Sequence, residues 1–264
     1  MEIDVNLGKL PQKEKGSLEI IECKTIEEKR RHGLERLASG FRTFSHFGFD
    51  EGVAGHITFR DPEFEHHFWV NPFGMHFGQI CVSDLVLVDR NGEVVIGDRP
   101  VNTAAFAIHS RLHEARPDVN AAAHSHSMYG KSFSSMGRKL EPITQDSCAF
   151  FDDHVLFDDF TGVVLETDEG DRIANALGDK RAAILKNHGL LTTGETVDAA
   201  VWGFLSMDRC CQSQMIAESV GQMERIPDET AAMTKEQVGS ELGMWVMYQP
   251  IYDLMLEKDD SFLN

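Results

Sequence analysis

Residues 121–130 read AAAHSHSMYG. In an extended strand the side chains at i and i+2 share a face. His124 and His126 therefore project together, while Ser125 and Ser127 point the other way. Two imidazoles so spaced can both bind one metal ion, at about 2.0–2.1 Å. A zinc site needs a third protein ligand. The best candidate is His188, at the end of the apolar run RAAILKN and just before Gly189. A glycine there lets the backbone turn sharply and present the imidazole at a strand end. Spacing alone leaves a second reading open, in which paired core histidines satisfy each other by hydrogen bonds. The remaining histidines carry weaker signals. His66 and His67 are adjacent and face opposite ways in a strand, and His32, His46 and His76 read as surface or packing residues.

These side chains need elements to hold them. Residues 1–24 read as a polar, loosely ordered N-terminal arm. Thr25 with Glu28 forms a capping box, and Leu34, Leu37, Ala38, Phe41 and Phe44 follow at helical spacing, with a stop near Gly48. GHITFR (55–60) and HFWV (67–70) read as strands, and LVLVDRNGEVVIGD reads as a hairpin turning at Asn91-Gly92. Asn102 caps a helix through Ala105, Ile108, His109, Leu112 and His113 that ends by Pro117. VNAAAHSHS (119–127) and RAAILKNHG (181–189) read as buried strands. Thr167 caps a helix closed by Gly178, and Thr196, after LLTTG, opens a long one. A last amphipathic helix is expected over 234–247, followed by a tail. No repeat or linker divides the chain. The pattern is one α/β domain, over about 25–222, with a mixed or antiparallel sheet flanked by helices. A C-terminal helix and tail occupy 223–264.

Bulk properties exclude several function classes. A net charge of −18 over 264 residues disfavours non-specific binding to nucleic acid or to an anionic membrane. The N-terminus has no apolar core of a signal peptide, and no run approaches the roughly 20 apolar residues that span a bilayer. Five cysteines, with no CxxC pair, read as reduced thiols of a cytoplasmic protein.

RPDVNAAAHSHS, followed some sixty residues later by AAILKNHGLLTTGETVDAA, closely resembles the class II aldolase/adducin family. GVAGHITFRDP, near residue 52, looks like that family's early Gly-rich strand region. The resemblance runs from about residue 28 to 220, and the C-terminal tail is more like the adducin-type members. It implies a three-layer αβα sandwich around a mostly antiparallel sheet, often a homotetramer with sites at subunit interfaces. It also implies that His124, His126 and His188 bind zinc, which in the aldolases polarises a carbonyl and stabilises an enediolate. Adducin-like members have lost these ligands and act as scaffolds, whereas this chain keeps all three.

Two departures from the aldolase pattern matter. The family glutamate that binds the resting metal and moves protons falls, in the register set by Arg116-Pro117-Asp118, on Ala105. The early Gly-Asn is Gly55-His56, which weakens the phosphate grip, since a phosphate needs several converging donors. His56 can donate to a substrate carboxylate, or simply pack or hold water. His109 lies one turn past Ala105 on the same helix face, with His113 beyond it. It is a candidate proton donor or orienting group, or else a core residue. In QDSCAFFDDH (145–154), Gln145, Asp146 and His154 stand among apolar residues. This is near where the family places a tyrosine across the subunit interface. They can line a pocket, with Asp146 as a carboxylate base, or form a loop at a subunit contact.

The expected function is a metal-dependent lyase of aldolase or decarboxylase type. Its substrate would be a small, non-phosphorylated oxo- or hydroxy-acid or carbonyl compound, handled through a metal-stabilised enolate. The ion is expected to be Zn2+, with Fe2+ or Mn2+ as alternatives. Two other readings stay open: a non-heme iron oxygenase on the same fold, and a non-catalytic adducin-like interaction module.

Overall fold

The computed structural model describes residues 10, 13–163 and 167–264. Most of the first half of the expected N-terminal arm lies outside the described residues; residues 17–24 form neither helix nor strand. Helix α1 (Ile26–Phe47) opens on the capping box of Thr25 and Glu28 and ends at Gly48, whose φ of 75° supplies the left-handed cap. Four short strands follow: β1 (His56–Arg60), β2 (Phe68–Val70), β3 (Val86–Val88) and β4 (Val94–Ile96). Helix α2 (Thr103–Ala115) starts where the Asn102 side chain accepts the Ala104 N–H at 2.9 Å. Then come β5 (Ala121–Ser125), α3 (Met128–Ser134), β6 (His154–Phe157), α4 (Thr167–Leu177), β7 (Ala182–Leu185), β8 (Gly189–Gly194), α5 (Val197–Val220), α6 (Asp228–Val238) and α7 (Glu241–Lys258).

The strands form one sheet in the order β4-β3-β2-β1-β5-β8-β7-β6. Every pairing is antiparallel except β6 with β7. Alternation along β5 sends Ala121 and Ala123 to one side, into a core with Leu37 and Phe41 of α1 and Phe204 of α5. Ala122 goes to the other side, among Ile108 and Leu112 of α2 and Ile173 of α4. The result is the three-layer αβα sandwich with a mostly antiparallel sheet. Small alanines suit a central strand whose two faces are both covered.

Three local expectations change. LLTTG belongs to β8, a fully buried central strand. Its two threonines disguised it, although Thr192 Oγ1 is satisfied by donating to the Ala200 carbonyl at 2.8 Å. The single C-terminal helix expected over 234–247 is two helices, because Ser240 caps α7 by accepting the Gly243 N–H at 3.0 Å. The tail ends in a 3-10 turn that buries Phe262 completely. These C-terminal elements share the main core: the Tyr248 hydroxyl lies 3.0 Å from both Ser39 Oγ and Thr43 Oγ1 of α1. All five cysteines are free thiols, and among the described residues no helix is long and apolar enough to cross a membrane.

Candidate metal centre

His124 sits near the end of β5, paired with His56 on β1 and Leu191 on β8. Its Nδ1 lies 2.8 Å from the Leu190 carbonyl oxygen. A carbonyl only accepts, so Nδ1 carries the proton and Nε2 is left as a bare lone pair. His126 follows the last residue of β5, just ahead of α3. His188 is in the three-residue connection from β7 to β8, where Leu185 pairs with Gly189. The sharp turn comes from Asn187, at φ 59°, and not from Gly189. Gly189 serves close approach: a Cβ there would stand 2.8 Å from the Ser125 carbonyl oxygen and 3.5 Å from His124 Cε1.

The ligand-capable atoms of His124, His126 and His188 all lie within 4.8 Å of one another. Their ring centroids are 4.7–5.2 Å apart. Burial, reinforced by its neighbours His188, His56 and His126, holds His124 well below the usual imidazole range. Burial and then Lys131 lower His126, and burial and then His126 take His188 down to about 4. All three are thus neutral donors near pH 7, the form a metal requires. Among the described residues no carboxylate joins the cluster. Ala105, where the resemblance implies a glutamate, is fully buried on α2. The donor set fits a divalent ion held by three imidazoles with open positions.

The cluster opens on a cavity of about 500 Å³ whose walls include Val53, Ile108, Phe160 and Val163. Lys131, from α3, brings the one cationic chain among the lining residues described and pairs with Glu51. Sequence reading passed over Lys131, since nothing distinguishes it from an ordinary solvated lysine. The signal available was its place on the helix directly following His126.

His56 lines the same cavity, and neither ring nitrogen has a hydrogen-bond partner although both are buried. His109 does not reach the cleft as expected. Its Nδ1 is 2.7 Å from Thr58 Oγ1, and its ring packs behind His56 with centroids 4.3 Å apart. His113 continues inward, with Nε2 2.9 Å from the same Thr58 oxygen and Nδ1 3.3 Å from the Val119 carbonyl. Burial holds His56 and His109 well below their ordinary range, each aided by neighbouring imidazoles; burial and then Arg60 take His113 down to about 3.

The 145–154 segment is not brought to this cluster within the chain. His154 is engaged at both nitrogens, Nδ1 2.6 Å from the Phe150 carbonyl and Nε2 accepting the Leu140 N–H at 3.0 Å. It is a structural residue with no nitrogen free for a ligand. Gln145 is exposed, and Asp146, also exposed, lines a separate hollow with Trp202 and Arg209.

Residues 35–215 match the family described as "Class II Aldolase and Adducin N-terminal domain". The decarboxylase NovR of Streptomyces niveus is 48% identical over 237 residues, which cover 89% of this chain and 88% of the relative. The 4-hydroxy-3-prenylphenylpyruvate oxygenase/4-hydroxy-3-prenylbenzoate synthase of Streptomyces roseochromogenus subsp. oscitans is also 48% identical over 237 residues, 89% of this chain and 86% of that protein. A solved structure described as L-fuculose 1-phosphate aldolase from Glaciozyma antarctica PI12 superposes with a TM-score of 0.85 at 44% identity, covering 91% of this chain and 94% of that one. By sequence and by fold together, this chain belongs to the class II aldolase/adducin family.

Proposed function

We propose that the protein is a metal-dependent, lyase-like enzyme of decarboxylase or aldolase type, acting on a non-phosphorylated oxo- or hydroxy-acid. The observation that carries this reading is the convergence of three neutral imidazoles, His124, His126 and His188, on one wall of a 500 Å³ cavity. These residues would hold the ion, most simply Zn2+ with Fe2+ or Mn2+ as alternatives. When bound, a divalent ion supplies Lewis-acid polarisation of a substrate oxygen. The Leu190 carbonyl fixes His124 for that role by holding its other nitrogen. Lys131 offers a counter-charge to a substrate carboxylate. The apolar walls suit a hydrocarbon or aryl substituent, and the volume is that of an ordinary small-molecule site. The names of the two curated relatives, a decarboxylase and an enzyme of an aryl-pyruvate, support an aryl-substituted oxo acid. Ala105 can neither ligate nor move a proton, so the aldolase use of a glutamate has no counterpart here. The reading includes a cytoplasmic homotetramer, which the family and the five free thiols support.

A second reading, a non-heme iron oxygenase, is favoured by the relative named an oxygenase and by a histidine set without a carboxylate. One experiment addresses both. Protein purified anaerobically without chelators is analysed for metals, then given 2-oxo acids while carbon dioxide and oxygen are followed. We expect one equivalent of zinc, or of iron or manganese, per chain and release of carbon dioxide or C–C cleavage products without oxygen uptake. Stoichiometric iron with oxygen consumption selects the oxygenase. Chains that bind no ion overturn both.

A further inference from the structure

Helix α3 starts just after the ligand His126, with only Ser127 between, and its first turn is not fixed from nearby in the chain. Ser127 stands at the N-cap, from which a serine hydroxyl usually accepts an orphan helix N–H, yet its side chain makes no such bond. Its carbonyl accepts the Lys131 N–H at 2.9 Å, so the helix begins directly behind the ligand. The orphan N–H of Gly130 goes instead to Asp208 Oδ1 of α5, at 2.9 Å and 78 residues along the chain. Asp208 is fully buried, and its other oxygen has no partner. Such a carboxylate is costly to keep in a core, and the neighbouring serine could cap the helix without it. Gly130 also sets how closely α3 lies on the sheet. A Cβ there would stand 2.6 Å from Ser127 Oγ and 2.8 Å from Leu190 Cδ1 and Cγ. Leu190 is the residue whose carbonyl holds His124 Nδ1. The turn between His126 and Lys131 is therefore pinned by α5 from one side and seated on the strand that orients His124.

We propose that Asp208 is a positioning residue of the metal centre: by accepting the Gly130 N–H it clamps the start of α3, and so holds His126 within reach of His124 and His188 and Lys131 at the cavity wall. Asp208 does not itself line the cavity. Its effect on metal binding rests on the metal-site reading above; the clamp on His126 does not.

Zinc affinity, measured by competition with a chromophoric chelator at a temperature where each variant is folded, tests the first part. Asp208→Ala frees the Gly130 N–H and should bind zinc about 10- to 100-fold more weakly, the usual loss when an outer partner is removed. Asp208→Asn keeps an oxygen acceptor in the same place and should bind zinc as the wild type does. Tyr248→Phe removes the hydroxyl beside Ser39 and Thr43, and so controls for lost stability alone; its zinc affinity should not change. Visible absorption of the cobalt-loaded protein should shift in Asp208→Ala and in neither of the other two. Wild-type affinity in Asp208→Ala, an equal loss in Asp208→Asn, or an equal loss in Tyr248→Phe overturns the proposal. If Asp208→Ala does not fold, Gly130→Ala takes its place, since it pushes α3 off Leu190 with the carboxylate intact. It should show the same loss, and wild-type affinity there overturns the clamp. If the wild type takes up no zinc, the metal reading fails, and a crystal structure of the chelator-treated variant still decides. His126 should leave the 4.8 Å span that its ligand atom shares with those of His124 and His188; an unmoved His126 refutes the role of Asp208.

Discussion

His124, His126 and His188 surround open space, whereas His109 and His113, on α2 beside β1, are closed off by Thr58 and Val119. Both groups hold imidazoles kept neutral by burial, and both lie on the α2 side of the sheet or at its edge. The difference comes from the backbone. His126 and His188 stand just beyond strand ends, and among the described residues a cavity opens in front of them. His109 and His113 are one turn apart on α2 and straddle Thr58 of β1, so each meets a hydroxyl on arrival. Residue type does not distinguish a ligand from a core histidine, and neither does a free nitrogen, since His109 Nε2 has no partner either; what decides is whether the ring lines the open cavity, as His124, His126 and His188 do.

The sharpest break of that comparison is His188→Ala. Losing one of three ligands should weaken metal binding by more than the roughly 100-fold that removal of an outer partner can cost. Zinc content after dialysis should fall below about one tenth of an equivalent per chain, with catalytic turnover lost and the thermal transition still cooperative. Retained metal would mean that the cluster is only a packing feature.

The inner group should respond the other way, in stability and not in metal. Thr58→Val leaves His113 Nε2 and His109 Nδ1 without partners in a buried layer, which costs about 1–3 kcal/mol. Urea unfolding should report that loss while zinc content stays at the wild-type level. Loss of zinc in this variant would show that the two groups act as one unit.

The acid limb of stability gives a third test. His113 titrates at about 3 in the folded chain against an ordinary 6.5. The unfolded chain therefore binds a proton that the folded chain refuses. Stability from this group is complete above about pH 6.5 and is lost as pH falls towards 3, with a slope approaching about 1.4 kcal/mol per unit. Unfolding midpoints at pH 7, 6 and 5, measured on chelator-treated protein, should decline less steeply in His113→Phe, by about one proton. Parallel pH profiles would show that His113 is not kept neutral by folding.

Much of this organisation was legible in the chain. The HxH spacing and Asn-His-Gly located the cluster, and capping residues located α1, α2 and α5, because period-2 faces and caps are local physics. Strand β8 was not legible, since its threonines look polar until Thr192 is seen bonded to α5. Gly189 was assigned the wrong job because a glycine selected for close approach and one selected for a left-handed turn look alike in sequence; Asn187 makes the turn. The direction in which His109 points depended on Thr58, fifty-one residues away, and no local pattern carries that distance.

The smallest expected effect concerns whether the open group is complete within one chain. Asp146 was a candidate base, yet it is exposed on a 3-10 turn beside Trp202 and Arg209, and it takes no part in the histidine cluster. A surface substitution away from buried networks changes free energies by about 0.5 kcal/mol or less, so Asp146→Asn should alter kcat/KM by only about 2-fold, with metal content constant. Arg209→Ala, in the same hollow, should behave alike. A loss beyond about 10-fold in kcat/KM for Asp146→Asn, with metal retained and Arg209→Ala silent, would require Asp146 to act at the cluster of a second copy. The contrast between an open and a closed group would then hold only for the separated chain, and the cavity in front of His188 would be partly the neighbour's to fill.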